Sequence, residues 1–410
     1  MKNAEWVLNR IRRTDDLFLE IMSYENVAKA LNFHRSIPEY SVTPLTKLNN
    51  LARYLGVRNI YVKDESYRFG LNAFKVLGGS FALGRYTAKQ IGKDISELPY
   101  HILTSDKIKE EFGQTTFYTA TDGNHGRGIA WAANKLGQRC VVRMPKGTSS
   151  SRKAHITKLG AEVTIEDLNY DDCVRLANME AASSDQGILI QDTSWEGYEE
   201  IPSWIMQGYG TLALETEQQL ISSGCKRPTH VLVQAGVGSL AGSIIGYFAN
   251  RFPANPPVMA VIEASAANCL YRSAKTATGK LEKVTGDLQT IMAGLSCGEA
   301  NIISWDILRN HADLFISAPD WMSANGTRIY AAPLSNDPQI ISGESGSVSM
   351  GVLYTAMKYT SYSRLKEDLK LDKNSEVLLI STEGNTIQPA SVKLYGKDFT
   401  VTENSYLGTY

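Results

Sequence analysis

Short β-branched and aliphatic runs alternate with longer stretches of helical period along most of the chain. That alternation predicts an α/β architecture with mostly parallel open sheets flanked by helices. The strand-like runs are residues 59–63, 116–120, 139–144, 162–165, 188–191, 230–234, 258–262 and 377–381. Helical periodicity covers 74–90, 126–135, 151–159, 170–183, 204–222 and 347–359. Between them, the polar stretch 91–114 with its charged run Asp106-Lys107-Ile108-Lys109-Glu110-Glu111 reads as a solvated helical insertion. Residues 85–189 are expected to be a smaller, mobile domain of βα units. Residues 1–84 and 190–410 are expected to form a larger one, with a second series of strands opening at Gly187.

Composition narrows the class of partner. The 42 Lys and Arg balance 43 Asp and Glu, so there is no electrostatic reason to expect nucleic acid or an anionic membrane as partner, and a small-molecule substrate is expected instead. Five cysteines, odd in number and without a C-x-x-C spacing, argue against a disulfide framework or a zinc ribbon, and no metal site is expected. No apolar run reaches signal-peptide or membrane-span length, which points to a cytoplasmic protein.

Three local constellations could carry chemistry. Gly236-Val237-Gly238-Ser239-Leu240-Ala241-Gly242 follows an apolar strand and precedes a helical stretch. Its glycines let backbone approach an anion, and free N–H groups plus the helix N-terminus would hold a phosphate. The G-x-G-x-x-x-G spacing misses the dinucleotide fingerprint by one residue, which disfavours a nicotinamide oxidoreductase, and a glycine turn needed only for packing is the plain alternative. Lys75 follows a Gly/Asn loop among Phe74, Val76 and Leu77, where apolar surroundings suit an amine that forms a Schiff base; alone, it also reads as a surface lysine on an amphipathic helix. Thr121-Asp122-Gly123-Asn124-His125 stands at another strand end and helix start. Such a turn can bind a substrate carboxylate, or Thr121 or Asp122 can simply cap the helix while His125 packs.

Taken in order, these motifs resemble the pyridoxal-phosphate enzymes of fold type II, the group of the serine and threonine dehydratases and the tryptophan synthase β subunit. The resemblance runs from Thr43-Pro44-Leu45 to Thr382-Glu383-Gly384-Asn385. Within that group the strings Gly70-Leu71-Asn72-Ala73-Phe74-Lys75, Thr121-Asp122-Gly123-Asn124-His125-Gly126-Arg127-Gly128, Gln191-Asp192-Thr193-Ser194-Trp195-Glu196-Gly197-Tyr198 and Trp204-Ile205-Met206-Gln207-Gly208-Tyr209 are similar to the diaminopropionate ammonia-lyases.

The resemblance implies pyridoxal 5′-phosphate as cofactor, a homodimer, and α,β-elimination of D- and L-2,3-diaminopropionate to pyruvate and ammonia. A serine/threonine dehydratase is the alternative, and a non-catalytic cofactor-binding relative a more distant one. It makes Lys75 the Schiff-base lysine and Gly236, Val237, Gly238, Ser239 and Leu240 the phosphate cup. Asn124 and Glu344 fall beside the cofactor, and Thr382, with Ser381 adjacent, against the pyridine nitrogen. Thr121, Asp122 and His125 fall on the substrate. Asp122 departs from the small residue of the wider group, and a carboxylate there suits a second base opposite Lys75. Asp192 becomes a candidate for the distal ammonium of the substrate, with a structural loop aspartate as the other reading.

Overall fold

The computed structural model describes residues 3–11 and 16–385, and its strands arrange as two sheets. The strands are β1 (Glu5–Leu8), β2 (Leu45–Lys47), β3 (Asn59–Asp64), β4 (Thr116–Ala120), β5 (Arg139–Met144), β6 (Glu162–Ile165), β7 (Gly187–Leu189), β8 (His230–Gln234), β9 (Val258–Ala264), β10 (Leu314–Ala318) and β11 (Glu376–Ser381). The larger sheet has the order β1-β10-β9-β8-β11-β3-β2, parallel from β10 to β3 with an antiparallel strand on each edge. The smaller is the all-parallel β6-β5-β4-β7. Helices cover both faces of the larger sheet, which is why β8, β10 and β11 are buried throughout and have continuous apolar centres instead of alternating.

Several expectations shift in detail. The strand near Gly187, read as opening the second series, pairs with β4 and closes the smaller sheet; past Leu189 the Ile190 N–H still donates to the Tyr118 carbonyl at 2.8 Å, and the Gln191 N–H leaves the ladder for the Tyr198 hydroxyl at 2.9 Å. The insertion 91–114 is helical at Tyr100–Leu103 and Asp106–Phe112, but it is more than a solvated appendage, since Leu98, Leu103 and Ile108 are buried in the core. Residues 263–346, where no element is predicted, hold β10 and the helices Cys269–Thr276, Ile302–His311 and Asp320–Ala331.

The helix Lys75–Gln90 packs against Asn124–Lys135 of the smaller lobe and against Glu200–Ser222 of the larger, and the boundary expected between 84 and 85 lies inside it. Glycines make both crossings close. A Cβ at Gly128 would stand 2.9 Å from the Val76 backbone N and Cα and 3.1 Å from the Lys75 carbonyl carbon, and one at Gly208 would stand 2.5 Å from the Leu77 oxygen. Backbone cannot swing aside as a side chain can. Gly128→Ala should therefore destabilise the fold by about 1–3 kcal/mol through overpacking and displace Lys75, lowering both the urea midpoint and turnover. An unchanged midpoint would show that the helices separate at no cost.

Among the bonds between the lobes, the Gly298 N–H donates to Asp171 Oδ2 at 3.2 Å. Burial, with the Glu299 carboxylate adding to it, pushes the Asp171 carboxyl from 3.8 up to about 6. A folded-state value above the unfolded one means that the folded chain holds this proton more tightly. The stability that Asp171 contributes is thus complete below about pH 4 and is lost as the pH rises through about 6. Asp171→Asn keeps an acceptor for Gly298 without the charge. Denaturation curves should show the variant more stable than the parent at pH 8, by up to about 3 kcal/mol, with the gap closing toward pH 4; a gap independent of pH would refute the assignment.

Candidate active site

Four strand ends converge on one cleft: β4 and β7 from the smaller sheet, β8 and β11 from the larger. Its walls include Phe74, Lys75, Asp122, Asn124, His125, Asp192, residues 236–240, Thr382 and Glu383. Ligand sites at the carboxyl ends of parallel strands follow from α/β topology.

Lys75 opens its helix after a contorted approach. Phe69, Gly70 and Asn72 all lie in the left-handed region, at φ of 50°, 68° and 60°, a conformation that costs free energy at the two non-glycine positions. The turn is laced to the chain beyond β11, with Phe74 N–H donating to the Thr382 carbonyl at 3.1 Å and Gly384 N–H to the Asn72 carbonyl at 3.0 Å. The Lys75 ammonium donates to Asp192 Oδ2 and stands 5.5 and 5.8 Å from the ring centroids of Phe74 and Tyr209.

Asp192 is the electrostatic centre of the site. Burial favours its neutral form, yet the Lys75 ammonium and a 3.1 Å hydrogen bond from the Tyr209 hydroxyl outweigh that and hold the carboxyl at about 2. For Lys75, burial opposes the charge and Asp192 overrides it, so its pKa is raised. The Asp192 carbonyl accepts from Ser239 Oγ and from Asn301 Nδ2, the latter at 2.8 Å, which ties this residue to the glycine loop.

His125 is buried, and burial lowers its pKa, so the ring is neutral. Its Nε2 donates to the Ile190 carbonyl at 3.1 Å, leaving Nδ1 unprotonated and facing Asp192 at 3.9 Å. Asp122 accepts from Arg152 through Oδ2 at 3.3 Å and through its carbonyl at 3.2 Å. Thr121 does not line the cleft; its hydroxyl is spent accepting the Gly123 N–H at 2.9 Å, shaping the turn that presents Asp122 and Asn124.

The glycine loop Gly236-Val237-Gly238-Ser239-Leu240 lines the cleft and runs into the helix Ser239–Arg251, whose first N–H groups have no partner within the helix. Gly238 needs its left-handed φ of 103°, and a Cβ there would meet Ser304 Oγ at 2.6 Å. Thr382 faces the cleft and accepts from Gln234 Nε2 at 3.1 Å, which leaves its own hydroxyl proton to donate. Ser381 is fully buried and turned to Ser342 Oγ at 2.9 Å, so of the two hydroxyls Thr382 is the one in position.

Glu344 lies outside the cleft wall. It begins the helix Glu344–Lys358, and its neighbour Ser345 takes the lining position. The glutamate in the wall is Glu383, accepting from Asn124 Nδ2 and from Ser345 N–H at 3.3 Å; burial raises its pKa. Glu383, Gln234, Tyr209 and Asn301 were not legible as site residues. Glu383 and Tyr209 sit in strings that carry the family resemblance, which was a usable signal, while Gln234 and Asn301 carry none. All five cysteines are buried and free, and Cys297 lines the cleft.

A glycine cradle that side chains would fill, a helix N-terminus aimed into it, a buried lysine amine and a hydroxyl donor fit pyridoxal phosphate, and fold and site together define a pyridoxal-phosphate dependent enzyme. The family model described as "Pyridoxal-phosphate dependent enzyme" matches residues 37–383. The chain is 53% identical over 359 residues to the diaminopropionate ammonia-lyase of Salmonella typhimurium, covering 87% of this chain and 89% of that one. Two crystal structures of the Escherichia coli diaminopropionate ammonia-lyase are each 42% identical and cover 96% of this chain and 97% of theirs. The complex with D-serine superposes with a TM-score of 0.88, and that with an aminoacrylate-PLP azomethine reaction intermediate with 0.86. The chain belongs to the diaminopropionate ammonia-lyases, and is a pyridoxal-phosphate-dependent lyase.

Proposed function

We propose that the substrate is 2,3-diaminopropionate in both enantiomers, and that elimination of its 3-amino group ends in pyruvate and two molecules of ammonia. When bound, the cofactor supplies an electron sink for the charge developed at Cα. Gly236 to Leu240 would hold its phosphate, Lys75 its carbonyl carbon, Asn124 its ring oxygen and Thr382 its ring nitrogen. A hydroxyl at that nitrogen, in place of a carboxylate, suits elimination over transamination.

The chain's own groups handle the protons. Lys75 takes the Cα proton of one enantiomer and Asp122 that of the other, with Arg152 orienting the Asp122 carboxylate. Asp192, ionised and buried, is the counter-charge for the distal ammonium. The backbone N–H groups at the start of the helix Asn124–Lys135, that of His125 among them, receive the substrate carboxylate. Loss of ammonia leaves 2-aminoacrylate, which tautomerises to the imine and takes up water to give pyruvate and the second ammonia.

The observation that carries this reading is that Lys75, paired with the buried Asp192, and Asp122 line the same cleft. Pyruvate release should be measured with D- and L-2,3-diaminopropionate beside D- and L-serine and L-threonine. Turnover of both diaminopropionates ahead of the hydroxy amino acids is expected; faster turnover of L-serine or L-threonine would make this a dehydratase. The same reading makes the protein a cytoplasmic homodimer whose smaller lobe, residues 85–189, closes over bound substrate. The bonds from Asn124 to Glu383 and from Gly298 to Asp171, which cross between lobes, support closure. Among the described residues no helix is long and apolar enough to cross a membrane.

A further inference from the structure

Behind the Asp122 turn lies a second pocket, open to solvent, separated from the substrate cleft by Gly123 and Asn124 and walled by Asn72, Arg127, Arg152 and His155. Its electrostatics are one-sided. Arg152 is offset by Asp122, 3.3 Å away, and by the nearby Glu383. Arg127 is not: among the described residues no carboxylate forms an ion pair with it, its Nε is buried without a hydrogen-bond partner, and burial alone acts on it. His155 stands in the positive field of Arg127 and of Lys158.

A guanidinium partly withdrawn from water and left without an acceptor costs free energy, and a rigid fork of N–H donors has its best partner in a planar or tetrahedral oxyanion. We infer that this cavity binds a small oxyanion, a carboxylate or a phosphate, between Arg127, Arg152 and His155, separately from the carboxylate of the substrate. The amide side chains of Asn72 and Asn124 in the wall suit a compact, hydrogen-bonding ligand, with Ile156 the apolar side chain of the lining.

Isothermal titration of the holoenzyme, whose cofactor phosphate site is already filled, with inorganic phosphate and separately with pyruvate distinguishes the two sources. Saturable uptake of either anion, one per chain, is expected. Arg127→Gln should weaken it by about 10- to 100-fold, the usual worth of hydrogen bonds to a charged partner. Cofactor absorbance and melting temperature report whether the variant folds; if it does not, His155→Gln carries the test and should weaken binding at least threefold. No saturable heat with either anion, or unchanged affinity in the folded variants, would overturn the inference. So would competition by D-serine, which would place the anion in the substrate cleft.

Discussion

Lys75→Ala should release no measurable pyruvate from either enantiomer of 2,3-diaminopropionate, and borohydride should no longer fix the cofactor to the chain. The loss combines two contributions. A positioned base is worth about 10²–10⁴-fold, and the covalent handle that orients the cofactor disappears with it. The choice of lysine follows from what each buried ammonium is doing. Lys63 is also buried, but its three donors are taken by the Thr43 carbonyl at 2.9 Å, Glu215 at 2.7 Å and Gln219 at 2.8 Å. Removing it would leave two buried carboxylates, Glu65 and Glu215, to the one guanidinium of Arg68, so it belongs to a structural ion network. Lys75 has one partner, Asp192, and lines the cleft. The variant also removes the main influence that opposes burial at Asp192, whose carboxyl should rise from about 2. Borohydride reduction of cofactor-loaded protein followed by peptide mass analysis checks the assignment; a label on any other lysine in the variant would displace Lys75.

Asp122→Asn should separate the enantiomers. Asparagine keeps the size and an acceptor for Arg152 but loses the basic carboxylate, so a loss of about 10²–10⁴-fold is expected for the D enantiomer and a much smaller one for the L enantiomer. The comparison within one variant matters because a disturbed Arg152 or a shifted turn would affect both substrates alike. Asp192→Asn is the contrast: it removes the counter-charge for a distal ammonium that both enantiomers carry, and it unpairs Lys75, so kcat/KM should fall for both. Equal losses on D and L substrates in Asp122→Asn would mean that the aspartate serves binding or folding, and the two-base mechanism would have to be abandoned.

What could be read in the chain beforehand was local. A glycine loop after a strand and a lysine after a Gly/Asn turn carry their chemistry within a dozen residues, and Lys75, Asp122, Asn124, Thr382 and residues 236–240 all reach the cleft. Edge strands β1 and β2 are too short for period to mark them, and β10 is an apolar run of five, as compatible with a buried helical turn as with a strand. The side chains that set the electrostatics were harder still. Glu383 meets Asn124 across 259 positions and Asn301 reaches Asp192 across 109, and no periodicity encodes such pairs. The exchange of Glu344 for Glu383 has the same origin, since two glutamates near one turn are told apart only by which one the helix start leaves in the wall.

The close crossing of helices at Gly128 has a mechanical consequence. A body that turns about an axis displaces nothing on the axis, and the backbone-to-backbone contact beside Val76 is where the two lobes have least room to slide. The reactive amine is attached one residue from that point. If the smaller lobe swings, the far rim of the cleft, where Lys146 meets Asp287, travels furthest, while the amine stays near the pivot. Substrate and product could pass at the rim without strain on the bond that holds the cofactor.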